Sequence, residues 1–296
     1  MIWQYFIQAR IRNRLVKSIN VQLILRGFIF KNIVFPEDLP DFQSNLIITM
    51  KKIVLLVALC LCVGNLFAQD ADKLRDEGDA ALKAKDYATV VTKYGEYLKQ
   101  NNYQDTARIF NCGYAANQAK NYAEAAKYFD MAVKMNYNVD DSYVGEAMAY
   151  RNLNKTEEFL TTVKEGLKVI PDGNKNKTNL EKLLYGYCIK QGQAAQKKGD
   201  LAGAEKMYKE VLAVSNKDYQ SNAYYSLGAM LYGNGAKILQ AATPIATSEP
   251  DKYNAEKAKA DKDFKQAKEY LTKAVELDPK DENSKKILAS INDILK

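Results

Sequence analysis

Hydrophobic positions are laid out in three different ways along this chain. Residues 1–49 are rich in them, but with neither the alternation of a strand nor the three-to-four-residue spacing of a helix. Met50-Lys51-Lys52 then opens an apolar run from Ile53 to about Val63, and Asn65-Leu66-Phe67-Ala68 ends it. From Gln69 the pattern becomes periodic. The segments DYATVVTKYGEYLKQN, NYAEAAKYFDMAVKMN, DLAGAEKMYKEVLAVS and DFKQAKEYLTKAVELDP align with one another. Each of these, and the weaker segment from Thr156 that lies between the second and the third, follows a stretch of helical spacing that contains a small residue. Those residues are Gly78, Gly113, Ala147, Gly192 and Gly228, at intervals of 35, 34, 45 and 36. At the C-terminal end, Ile287, Leu288, Ile291, Ile294 and Leu295 fall on one helical stripe.

A recurring interval of this length predicts paired helices that stack. Two antiparallel helices approach to about 8–10 Å, and the close end of that range needs small side chains at the crossing. A glycine inside a helix costs roughly 0.5–1 kcal/mol relative to alanine, so its repeated use predicts close backbone contact. Large residues seven apart in the aligned segments, such as Tyr87 and Tyr94 or Tyr122 and Phe129, share one helix face and fill the space toward a neighbour. One pair cannot bury that face alone. Leucine at Gly113 or Gly192 is therefore expected to overpack the crossing.

The pattern resembles the tetratricopeptide repeat, a 34-residue helix–turn–helix unit. Position 8 of that repeat is small. Position 17 reads Tyr87, Tyr122, Thr156, Leu201 and Phe264; position 20 reads Val90, Ala125, Phe159, Ala204 and Ala267; position 24 reads Tyr94, Phe129, Val163, Tyr208 and Leu271. Proline at position 32 occurs at Pro171 and Pro279. The third unit departs most, with Phe159 where a small residue belongs. The resemblance implies an all-α fold: a right-handed superhelical solenoid of about five units, over 71–105, 106–139, 140–173, 185–218 and 221–280, with a capping helix over 281–296. Two stretches break the period. PDGNKNKTNLEK reads as a polar loop that ends in a helix-starting turn. The surplus in the fifth unit reads as a lengthened first helix, a loop bounded by Pro244 and Pro250, and an early start to the second helix.

The same resemblance places positions 2, 5, 9 and 12 of each first helix on a concave, peptide-binding face. Carried over, these are Arg75 and Asp79; Phe110, Tyr114 and Asn117; Val144, Met148 and Arg151; Ile189 and Gln193; and Tyr225 and Tyr232. Chaperone-binding members clamp a terminal carboxylate with Lys and Asn at positions 5 and 9 of the first unit. Here Arg75 and Asp79 stand there, and the Asp would repel a carboxylate, so that activity is not carried over.

Met50 to Ala68 follows the three-part plan of a secretory signal peptide, with cleavage expected after Ala68. The apolar run is shorter than the ~20 residues that span a bilayer comfortably. Leu59 and Leu61 precede Cys60 and Cys62, which disfavours lipidation. The expected organisation is a signal peptide over 50–68 and a repeat domain over 69–296. Translation is expected to start at Met50, with 1–49 outside the native protein; the opposite reading is a cytoplasmic tail ahead of an uncleaved anchor.

Composition narrows the chemistry. There is no histidine, which removes the commonest general base and metal ligand. The formal charge of +7 is concentrated at the start: residues 69–296 hold 35 basic and 33 acidic groups, a mixed surface rather than a footprint for nucleic acid. Of the four cysteines, Cys112 and Cys188 lie in the repeats and read as two buried thiols rather than a disulfide. Asp172, Asn174 and Asn176 alternate like a calcium loop but lack its Gly and Glu. YGNGAK, around Gly233 and Gly235, is half a phosphate fingerprint without a preceding strand. No cofactor or metal is expected. The function expected is a non-catalytic, exported scaffold that binds another protein or peptide in a bacterial periplasm or envelope. The rivals are an envelope enzyme or carbohydrate-handling accessory protein, and a membrane-anchored assembly subunit.

Overall fold

The computed structural model describes residues 70–296, and every regular element among them is helical. The leader, the signal pattern and the cleavage after Ala68 lie outside the described residues. Eleven helices follow one another: α1 (70–83), α2 (Tyr87–Gln100), α3 (Thr106–Gln118), α4 (Tyr122–Lys134), α5 (Val139–Asn152), α6 (Thr156–Val169), α7 (Lys175–Lys197), α8 (Leu201–Glu210), α9 (Lys217–Ala242), α10 (Pro250–Leu277) and α11 (Glu282–Ile294). No helix among the described residues is long and apolar enough to cross a membrane.

The turn inside each of the first four pairs is the same device. A residue in the left-handed region ends the first helix: Lys85 (φ 58°), Lys120 (φ 59°), Asn154 (φ 56°) and Gly199 (φ 80°). The next residue's N–H reaches back to a carbonyl five residues earlier, as Asp86 to Ala81, Asn121 to Ala116, Lys155 to Tyr150 and Asp200 to Ala195, at 2.8–3.0 Å. These bonds satisfy carbonyls that a helix end leaves open. Asp86 and Asp200 then cap the second helix, accepting from the backbone N–H of Thr89 and Gly203.

The glycines mark the crossings. A Cβ on Gly78 would stand 2.4 Å from the Tyr94 ring, on Gly192 2.4 Å from Tyr208, on Gly228 2.5 Å from Leu271, and on Gly113 3.2 Å from Phe129. Each neighbour is the residue that the repeat pattern puts at position 24, and each is almost fully buried. Phe129 is clasped from the other side by Gly145 of the next pair, where a Cβ would meet the ring at 2.4 Å. In the third pair the volumes are exchanged. Ala147 and the smaller Val163 are buried in one cluster, while Phe159 is fully buried with its ring 4.4 Å from that of Tyr187 on α7. Phe159 therefore fills space that α7 helps to enclose.

The two irregular stretches come out differently. The residues after Pro171 are not an extended polar loop: helix starts at Lys175, so most of the surplus lengthens α7 to 23 residues. Asn174 caps it, and Leu180 and Leu184 of the added turns are buried in the core. The surplus in the fifth pair follows the expected layout. α9 and α10 run to 26 and 28 residues, twice the length of α2 to α6, with Pro250 at the start of α10. YGNGAK lies inside α9, and Gly235 lets α9 approach Phe264 and the Ala260 carbonyl. Among the described residues, Cys112 and Cys188 are both buried and unpaired, and burial pushes each thiol up to about 12.

Candidate functional site

First helices touch one another along the stack: α3 packs on α5, α5 on α7, α7 on α9 and α9 on α11. Second helices α4, α6 and α8 make no comparable contact with each other among the described residues. The first helices therefore form a continuous inner face, backed by the second helices. What remains open on α3, α5, α7 and α9 is the side turned away from that backing layer.

Several residues carried onto this face are occupied in holding the stack together. Asp79 accepts a hydrogen bond from the Tyr94 hydroxyl (2.6 Å) and an ion-paired one from the Arg108 guanidinium (2.8 Å), so it ties α1 to α2 and α3. Burial alone would push the Asp79 carboxyl up, but the hydrogen bonds from Arg108 and Tyr94 outweigh it and hold the group below its ordinary value. Asn117 donates to the Gly145 carbonyl (3.0 Å), fixing α3 against α5. Phe110 is half-buried, edge-on to Phe129 at 5.7 Å. Arg75 pairs with Asp72 and Asp76 on its own helix.

Others are available. Tyr114 is 42% exposed and Met148 37%, two of only four large hydrophobics among the described residues with that much surface in water. Tyr114 sits edge-to-face with Tyr87 at 5.9 Å, which orients its ring. Arg151 is half-buried with no carboxylate within ion-pair distance among the described residues, and Gln193 is exposed. Tyr225 is half-buried; Tyr232 is half-buried with its ring 5.8 Å from Phe264, which makes it a support of the α9–α10 hairpin.

A tetratricopeptide-repeat family model matches residues 258–281, the last 20 residues of α10 and the turn after it. A solved TPR repeats protein from Bacteroides fragilis is 43% identical, with a TM-score of 0.67; the match covers 76% of this chain and 98% of that one. The chain is a tetratricopeptide-repeat protein. A second solved tetratricopeptide repeat protein, from Parabacteroides merdae, is 15% identical over 75% of this chain and 99% of its own, with a TM-score of 0.37. No curated protein matches. Neither the family model nor the Bacteroides fragilis relative indicates an enzymatic family. Repeat proteins of this kind commonly bind other proteins or peptides on the extended face that stacking creates.

Within this tetratricopeptide-repeat protein, the feature that the sequence pattern missed lies on α7. Placing the fourth unit's start near residue 185 hides the fact that Lys175, Lys182, Lys190 and Lys197 share one helix. Their spacing of seven or eight residues brings them onto a single exposed side. A second missed feature lies deeper. Glu146 on α5 is buried against Asp130 and Lys134 of α4 and Glu165 of α6. Burial, reinforced by the two acids, pushes its carboxyl up to about 7, against the opposing pull of Lys134. The Asp172, Asn174 and Asn176 cluster is accounted for without a metal. Asn174 and Asn176 donate to Asp140, Asn176 also to Asp141, and Asp172 pairs with Lys177.

Proposed function

We propose that this protein is an exported, non-catalytic scaffold that holds a segment of another protein against the inner face of its first helices, in the periplasm or cell envelope of a bacterium. The observation that carries the reading is the surface left open there. Tyr114 and Met148 stand in water on adjacent first helices beside Arg151, which has no ion-pair partner among the described residues, while the large side chains beneath them are buried. An oriented aromatic, a flexible thioether and a guanidinium are the residue types that dominate protein-recognition surfaces. Support for export comes from the basic start, apolar run and small-residue end of Met50 to Ala68.

Two measurements test the two halves of this reading. Affinity capture from the envelope fraction of the native cells compares wild type with Tyr114→Ala and Arg151→Glu. The expected result is that the same captured proteins drop out in both variants; equal recovery by all three removes the inner-face assignment. Cell fractionation with N-terminal sequencing tests location, and a product that begins at Gln69 in the periplasmic fraction is expected. A cytosolic product that retains residues 50–68 would refute export.

A further inference from the structure

The open side of α7 carries charge of one sign. Lys175, Lys182, Lys190 and Lys197 are all exposed there, with Gly186 and Gln193 between them. At about 1.5 Å per residue they cover roughly 33 Å of helix. None has a carboxylate within ion-pair distance among the described residues. The one acid on α7, Glu181, is buried and accepts from the Ser215 N–H (2.6 Å) and hydroxyl (2.7 Å). This is not general lysine richness: α10 has seven lysines, but six acids are interleaved with them.

α5 adds to the stripe. It starts beside α7, where Asn174 and Asn176 hold Asp140 and Asp141, and both helices run antiparallel to α6. Arg151, eleven residues beyond Asp140, falls near the level of Gly186, between Lys182 and Lys190. The two acids at the start of α5 keep their charge but are held by Asn174 and Asn176 at the Lys175 end of the stripe, about 16 Å along α5 from Arg151. The α5–α7 portion of the inner face thus presents unpaired cations around Met148 and Ile189.

We propose that the partner segment is an acidic polypeptide, with carboxylates against Arg151, Lys190 and Lys197 and apolar side chains against Met148 and Ile189. This rests on the reading of the inner face as a protein-binding surface and adds the chemistry of what it binds. Desolvated or rim cations set which partner is accepted and how fast it arrives. A nucleic acid would meet the cations but leave the interleaved apolar side chains without partners.

The full chain is titrated, by fluorescence anisotropy, with two labelled peptides of equal length, one alternating Glu and Leu and the other Lys and Leu, and with labelled single-stranded DNA. The Glu–Leu peptide is expected to bind, and to weaken as salt rises. The Lys190→Glu/Lys197→Glu double variant should weaken it about tenfold, and Lys262→Glu/Lys265→Glu on α10 should leave it unchanged. Equal loss in both doubles overturns the proposal as non-specific charge attraction. Preference for the Lys–Leu peptide, abolished by Tyr114→Ala, keeps the inner-face reading and overturns the acidic partner. Tighter binding of DNA, lost in Lys190→Glu/Lys197→Glu, overturns the polypeptide assignment. If binding responds neither to Tyr114→Ala nor to Met148→Ala, the inner-face reading itself falls.

Discussion

Alanine at Gly192 and alanine at Gly186 are the same chemical change, six residues apart on α7, and they are expected to act in opposite directions. At Gly186 an added Cβ meets nothing within 4 Å. The substitution then only removes glycine's helix penalty and should stabilise by about 0.5–1 kcal/mol. At Gly192 the Cβ would stand 2.4, 2.7 and 2.9 Å from three atoms of the Tyr208 ring. An ordinary carbon contact is about 3.5–4 Å, so the ring must retreat by about 1 Å. Tyr208 is 1% exposed, its hydroxyl bonds Gln196 at 3.0 Å, and it packs in the cluster with Ala204 and Leu227, so no free volume receives it. Overpacking of this kind costs about 1–3 kcal/mol, more than the helix gain returns. Gly113, at 3.2 Å, falls between the two and should be near neutral. Thermal melts by far-UV circular dichroism read the order. At about 2–4 °C per kcal/mol for a domain of this size, Gly192→Ala should lower Tm by several degrees and Gly186→Ala raise it by about one to four. If Gly192→Ala melts at or above wild type, the close helix crossing does not exist and the stacking account is wrong.

Glu146→Gln should alter pH dependence. Burial raises the carboxyl in the folded state to about 7, above its unfolded value, so the folded state holds that proton more tightly. Wild-type stability should be greatest below the unfolded value and fall as pH climbs toward 7. The glutamine variant should lack that decline and be more stable by about 1–3 kcal/mol at pH 8. Urea midpoints at pH 5 and pH 8 check this, and parallel pH profiles would refute it. Lys120→Gly relieves a non-glycine residue at φ 59° and should stabilise by about 0.5–1 kcal/mol; a lower urea midpoint would count against it. Asp79→Ala leaves the buried Tyr94 hydroxyl and Arg108 without their acceptor and should cost about 1–2 kcal/mol, with Tyr94→Phe recovering part of the loss. Loss of equal size in Asp79→Ala alone and in combination with Tyr94→Phe would show that the hydroxyl is not coupled to Asp79.

What was legible from sequence followed from regular spacing. A stack repeats one contact, so small residues at intervals of 35 and 34 mark Gly78 and Gly113 as close crossings from the sequence, whereas the rings they meet, Tyr94 and Phe129 of the same pair, emerged from the structure. The long α9–α10 hairpin was legible for a similar reason, because Pro244 and Pro250 confine the break to one place. Three further things needed the tertiary structure. Polar residues after Pro171 extend a helix because Leu180 and Leu184 find a core to enter, and burial overrides weak local preference. Asp79 and Asn117 leave the binding face for structural bonds because their partners, Arg108 and the Gly145 carbonyl, lie 28 or 29 residues away in the next pair. The charge of the inner face emerges only when each acid is located: Glu181 turns inward to Ser215, and Asp140 and Asp141 are drawn to the start of α7. Sequence counts charges, whereas only packing decides which of them still face water.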